Sequence, residues 1–189
     1  RGWHMNMTAQ SRVYADEYRD IADEASLSFW IRAGTLPATE TNIVTHTPLY
    51  FTLNGSGSVT GYAYEASGTA VVVGATPINN GAWNFVYLRR NASEAVFGYG
   101  TLSGTNTETT LAGDFLETDS GTNTAMLVES SGTTEFDIHD LRIWNVMKSE
   151  AEMNLVRYHE PNTTLCTYRL GFMYTLSRQD KFGIKVLPS

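Results

Sequence analysis

Positive charge is scarce and scattered in this chain: 13 lysines and arginines stand against 20 aspartates and glutamates, for a formal net charge of −7. Arg89-Arg90 is the only adjacent basic pair. Without a basic run, nothing tracks a phosphate backbone or an anionic lipid surface, so nucleic acid is excluded as a partner class. No stretch reaches the roughly 18 apolar residues of a membrane span, so membrane insertion is not expected. The single cysteine, Cys166, excludes an internal disulfide. As a nucleophile it would need a base, and the nearest histidine in sequence, His159, lies beyond Pro161; a small buried hydrophobe is the simpler reading. The four histidines His4, His46, His139 and His159 form neither H-x-H nor H-E-x-x-H, which leaves zinc unsupported. No Ser-His-Asp spacing is present, and Gly55-Ser56-Gly57 has no helix after it to cradle a phosphate, so it is a turn.

What is abundant is neutral and polar. Charged residues make up only 17% of the chain, while 24 threonines and 16 glycines fill the surface they leave. Threonine favours strands and glycine favours turns, so the composition leans towards an all-β fold. At 189 residues the chain has the size of one large sandwich. Arg1-Gly2-Trp3-His4-Met5 resembles the Arg-Gly-Ser-His-Met remnant that a protease-site vector leaves, so residues 1–5 are set apart as a cloning scar and residues 6–189 are taken as a single domain. Four glycosylation sequons begin at Asn6, Asn54, Asn91 and Asn162, about twice what chance gives in so Ser/Thr-rich a chain.

Short apolar-alternating runs recur along the chain. They predict strands near Arg12–Tyr18, Ala25–Arg32, Asn42–Thr47, Leu49–Leu53, Ser58–Glu65, Ala70–Val73, Trp83–Arg89, Ala95–Gly100, Ala125–Glu129, Thr133–Trp144 and Thr167–Tyr174. Asn54-Gly55-Ser56-Gly57, Ser67-Gly68, Asn79-Asn80-Gly81 and Ser131-Gly132 supply turns. The connections are short and no helices alternate with the strands, so the sheets should be antiparallel. Leu102–Thr124, poor in apolar residues, is expected to be a long loop or two weak edge strands. Gly171–Ser189 should complete a sheet. One helix is predicted, starting at Ser149, whose hydroxyl and the Glu152 carboxylate make the S-x-x-E capping box.

Three segments occur in a telling order. Leu27-Ser28-Phe29-Trp30-Ile31-Arg32 is similar to an S-F-x-x-W-V-K strand. Gly81-Ala82-Trp83-Asn84-Phe85-Val86-Tyr87-Leu88-Arg89-Arg90 is similar to G-x-W-H-H-V-A-V-x-R. Ile138 to Ser149, followed by Glu152, is similar to I-D-D-V-R-I-Y-N-R-A-L-S-x-x-E. Together they span roughly Arg12 to Tyr158 and resemble the laminin-G-like, concanavalin A-like lectin/glucanase superfamily. The resemblance implies an all-β jelly-roll sandwich of two antiparallel sheets with one short C-terminal helix. It does not choose a function, since this fold hosts lectins, glycosidases, adhesion modules and spacers.

Glu135, Asp137 and Asp140 resemble the E-x-D-x-x-E triad of retaining β-glucanases in that superfamily, in which two carboxylates about 5 Å apart perform two displacements. Here the third residue is an aspartate, one methylene short at the position of the general acid. Misplacement on that scale costs about a hundredfold in rate, so hydrolysis of β-glucan at these residues is the alternative reading. Relatives often bind calcium through loop carboxylates, which makes Asp114, Glu117 and Asp119 the weak candidates for the one cofactor considered; solvated loop acids are their simpler reading.

The leading expectation is binding. Alternation puts Ala25, Leu27, Phe29 and Ile31 on one face and leaves Trp30 and Arg32 on the other. In the same way Tyr50, Tyr62 and Tyr64 lie opposite Leu49, Phe51, Leu53, Val59 and Ala63. Aromatic faces among Ser, Thr and Arg suit a saccharide, so Trp30, Tyr50, Tyr62 and Tyr64 are the candidate ligand-binding residues; the competing reading buries them in a second small core. Trp83, Phe85 and Trp144 are read as packing residues. The expected role is a non-catalytic recognition module for a glycan or a protein surface, carried by a cell-surface, secreted or virion-attachment protein. A structural spacer or assembly module is the third reading.

Overall fold

The structure, a computed structural model, describes residues 5–8, 12–15, 24–46, 48–78, 81–101, 103–115, 126–130, 132–144, 146–158, 168–169 and 184–187. Among them the chain forms fourteen strands and one helix: β1 (Met5–Met7), β2 (Arg12–Ala15), β3 (Ala25–Ala33), β4 (Thr41–His46), β5 (Leu49–Leu53), β6 (Ser58–Tyr64), β7 (Ala70–Pro77), β8 (Asn84–Arg90), β9 (Glu94–Thr101), β10 (Thr107–Ala112), β11 (Met126–Glu129), β12 (Phe136–Trp144), α1 (Glu150–Tyr158), β13 (Tyr168–Arg169) and β14 (Ile184–Leu187). They build two seven-stranded sheets. The first runs β1-β12-β3-β8-β9-β10, with β13 also on β12; the second runs β14-β2-β11-β4-β5-β6-β7. Every pairing is antiparallel. The architecture is therefore the expected all-β jelly-roll sandwich.

The core lies between the sheets and follows the period-two alternation. Ala25, Leu27, Phe29 and Ile31 of β3 face Leu49, Phe51 and Leu53 of β5 and Val59 and Ala63 of β6 in one buried cluster, with Phe29 and Phe51 edge to face at 4.8 Å. Turn chemistry also falls where the sequence put it. Gly57, Gly68, Gly81 and Gly132 all hold positive φ, and the Asn54 side chain accepts from the amides of Ser56 and Ser58 to close the β5–β6 hairpin. The region expected as loop or weak edge contains β10, an edge strand of the first sheet. Near the end of the chain, β14 pairs with β2 and extends the second sheet.

A second apolar cluster sits on the outer face of the first sheet. Trp30, Phe85, Tyr87 and Trp144 project there, and Met153 and Val156 of α1 cover them. The helix begins with the predicted capping box: the Ser149 amide donates to Glu152 Oε2 at 2.8 Å, and the Glu152 amide donates to Ser149 Oγ at 3.3 Å. Ser26 pins the approach to the helix, donating to the Val146 carbonyl at 2.8 Å and accepting from the Lys148 amide at 2.9 Å.

Candidate functional site

The aromatic residues nominated as one ligand-binding group divide between the sheets. Trp30 lies on β3 in the first sheet and is only 6% exposed, packed against Phe85 beneath α1. For Trp30 the second-core reading holds, because the helix that the capping box starts lies across it. Phe85 and Trp144 are buried in the same cluster and Trp83 packs at its margin, as expected of packing residues.

The three tyrosines stay together on the outer face of the second sheet. Tyr50 pairs directly with Tyr62 across β5 and β6. Their rings are parallel, 1° apart in plane with centroids 4.6 Å apart, close to the spacing between neighbouring strands. Tyr64 leans on Tyr50 at 5.7 Å and 46°. All three are half-buried, with their rings at the surface of the sheet and none in the core. The register extends the row to Thr45 on β4 and Val72 on β7, and Val72 is 54% exposed.

A carboxylate that the sequence reading did not single out completes the face. Glu40, just before β4, accepts from the Tyr62 hydroxyl at 2.9 Å and from the Thr52 hydroxyl at 2.5 Å, both on Oε1. Burial, with the neighbouring Tyr64 and Tyr62 hydroxyls and Glu40, pushes the Tyr50 hydroxyl up to about 12. Burial and then the hydrogen bond to Glu40 raise Tyr62 as well. Both phenols therefore remain protonated donors through the neutral range. Twelve residues separate Glu40 from Thr52 and twenty-two from Tyr62, and no spacing rule links them; only the fold of β4 against β5 does.

The carboxylates of the hydrolase alternative are arranged differently. Asp137 is buried and accepts from Asn6 at 2.9 Å and from Arg32 Nε at 2.9 Å and Nη2 at 2.5 Å. Arg32 in turn lies over the Trp83 ring at 5.1 Å. Glu135 accepts from the Thr35 hydroxyl at 3.2 Å. Asp140 sits in a bulge where the pairing of β12 with β3 shifts register between His139 and Arg142; its φ is 55°, and Arg142 holds both its oxygens. The bulge that could have swung the third carboxylate into a cleft instead turns it onto an arginine of its own strand. Of the calcium candidates, Asp114 is exposed after β10, while Glu117 and Asp119 lie outside the described residues. Among the described residues no three histidine, cysteine, aspartate or glutamate side chains converge as metal ligands.

The chain resembles known proteins at the level of fold. A family model described as the concanavalin A-like lectin/glucanases superfamily, of laminin G type, matches residues 8–154. No curated protein matches. Among solved structures, the native heptameric SAP-like pentraxin of Limulus polyphemus superposes with a TM-score of 0.60 at 8% identity, over 98% of this chain and 92% of that one. The receptor binding domain of botulinum neurotoxin type G gives 0.57 at 12% identity, over 82% of this chain and 41% of that domain. The binding domain of botulinum neurotoxin DC in complex with SialylT gives 0.57 at 9%, over 83% and 46%. The chain thus spans less than half the length of these toxin domains.

Proposed function

The chain belongs to the concanavalin A-like lectin/glucanase superfamily, and from that premise we propose that it is a non-catalytic recognition module that binds glycan on the outer tyrosine face of β5 and β6. The fold alone does not select this function. The observation that carries it is the Tyr50–Tyr62 pair, with Tyr64 beside it, on the surface of a sheet whose opposite face forms the core. Saccharides present apolar C–H faces edged with hydroxyls, and an aromatic wall with polar tips complements both. The Tyr50 and Tyr64 hydroxyls supply donors at the rim, and Glu40 supplies an acceptor. The engagement of Asp137 and Asp140 by arginines supports the non-catalytic part of the reading, because neither carboxylate stands open towards a substrate. An extracellular, cell-surface or virion-attachment setting fits a glycan partner and the acidic charge.

A glycan array of the wild-type domain beside Tyr62→Ala and Tyr64→Ala tests this. Binding that drops at least tenfold in both variants, with unfolding midpoints near that of the wild type, is the expected result. Binding unaltered in both removes the tyrosine face as the site.

A further inference from the structure

Resting on that reading, we infer that Glu40 makes the tyrosine face selective for neutral saccharides over those carrying carboxylate or sulfate groups. Four observations converge on this. The first is stacking. The Tyr50 and Tyr62 rings cover one face of each other at 4.6 Å, and their row continues to Val72. The other face of Tyr62 therefore turns towards β7, where the exposed Val72 leaves an apolar step beside the ring. A sugar ring stacked there lies next to the Tyr62 hydroxyl and so next to Glu40.

The second is the state of the carboxylate. Both protein hydrogen bonds reach Oε1, and among the described residues Oε2 has no protein partner. Glu40 is exposed, and Oε2 can accept from the vicinal hydroxyls of a neutral sugar. It can only repel an acidic one. The third is the state of the phenols: Tyr50 is pushed up to about 12 and Tyr62 is raised as well, so both stay protonated and add no further charge to the face.

The fourth is the lack of a compensating cation. Among the described residues, the outer face from β4 to β7 carries no lysine or arginine. Arg90 reaches the Tyr64 carbonyl at 3.3 Å, but from the buried side of the sheet.

The test is an array of matched pairs, each a neutral oligosaccharide and its sialylated, uronic or sulfated counterpart, probed with wild type, Glu40→Gln, Glu40→Lys and Tyr62→Ala. Wild type should bind the neutral member of a pair at least tenfold more tightly. Glu40→Gln should bring that ratio close to one, and Glu40→Lys should invert it. Raising the salt concentration should narrow the wild-type ratio and leave that of Glu40→Gln unmoved. Equal or tighter wild-type binding to acidic members, abolished by Tyr62→Ala, overturns the selectivity and leaves the tyrosine site standing. Binding that Tyr62→Ala does not change, or none across the array, removes the site and the selectivity with it.

Discussion

Arg142 on β12 donates from Nη1 to the carbonyl of Val156 in the last turn of α1, at 3.0 Å. That carbonyl belongs to the final four of the helix, which have no intrahelical partner. The same guanidinium holds the Asp140 carboxylate through Nε, at 2.7 Å, and Nη2. One buried side chain thus fastens the β12 bulge and the end of the helix together, and the helix in turn covers Trp30 and Trp144.

Replacing Arg142 with methionine keeps a long side chain there and removes these hydrogen bonds to Val156 and Asp140. It leaves a helix carbonyl and a half-buried carboxylate without their donor, and breaking such a pair from one side costs about 3 kcal/mol. The expected result is a lower urea midpoint at an unchanged m-value, with the Trp30 environment loosened in near-ultraviolet circular dichroism.

Asp140 separates two contributions at the same bulge. Its φ of 55° is a conformation that Asn and Asp tolerate and that costs alanine roughly 1–2 kcal/mol. Asp140→Asn loses the charge and one of the two oxygens that accept from Arg142, while Asp140→Ala loses both oxygens and also meets the backbone cost. The alanine variant should be less stable than the asparagine variant by about 1 kcal/mol in denaturant unfolding; equal losses would show that the backbone term is absent.

Glu152 couples helix capping to pH. The Lys148 ammonium at 2.9 Å and then the Ser149 amide at 2.8 Å hold its carboxyl at about 2, below the ordinary glutamate range. A depressed folded value stabilises the protein at pH above the unfolded value, and that stability drains away as pH falls from about 4.5 through about 2. The side chain is 44% exposed, so solvent screening keeps the contribution to that of an ordinary cap, about 1 kcal/mol or less. Glu152→Gln keeps the capping hydrogen bond and loses the charge. The stability difference between wild type and Glu152→Gln should be constant above pH 5 and vanish as pH approaches 2.

Gly98 gives a prediction from close approach. A Cβ built there would lie 2.0 Å from Tyr87 Cζ, and the Tyr87 hydroxyl is fixed by Glu108 at 2.6 Å, with Arg89 on the same carboxylate. The ring cannot retreat without breaking that network, so Gly98→Ala should cost about 3 kcal/mol. In the Tyr87→Leu background the added methyl meets a smaller neighbour, and its cost should fall below half. Strictly additive losses would show that the contact is not what glycine serves.

How far the sequence carries the fold is clearest from where it stops. The β3 alternation placed Ala25, Leu27, Phe29 and Ile31 in the core, and Ser149 with Glu152 located the helix start, because both are local patterns of period or cap. β10 was obscure because Thr107–Ala112 presents no buried residue to declare its period. Which sheet a strand joins is not a local property. The chain leaves the first sheet after β3, builds β4 to β7 in the second, and returns at β8, so Trp30 and Tyr50 have similar sequence settings and opposite fates. Glu40 was invisible for the same reason: its partners are set by pairing across β4, β5 and β6.

That divergence can be measured. Trp30 fills the cluster under α1, so Trp30→Ala opens a cavity against Phe85 and releases the Met153 face of the helix. Large-to-small changes of this kind cost about 3–5 kcal/mol. Tyr50 and Tyr62 pack on each other at the surface, where such a pair contributes about 1 kcal/mol beyond its buried area. Tyr62→Ala should therefore lower the unfolding free energy by no more than about 1–2 kcal/mol, and Tyr50→Ala should do the same. The double variant should cost less than the sum of the two, since the first substitution already removes the stack. Denaturant unfolding of the four variants, followed by tryptophan fluorescence, gives all of these values. A Trp30→Ala loss as small as that of the tyrosines would mean that α1 does not seal the outer face of the first sheet.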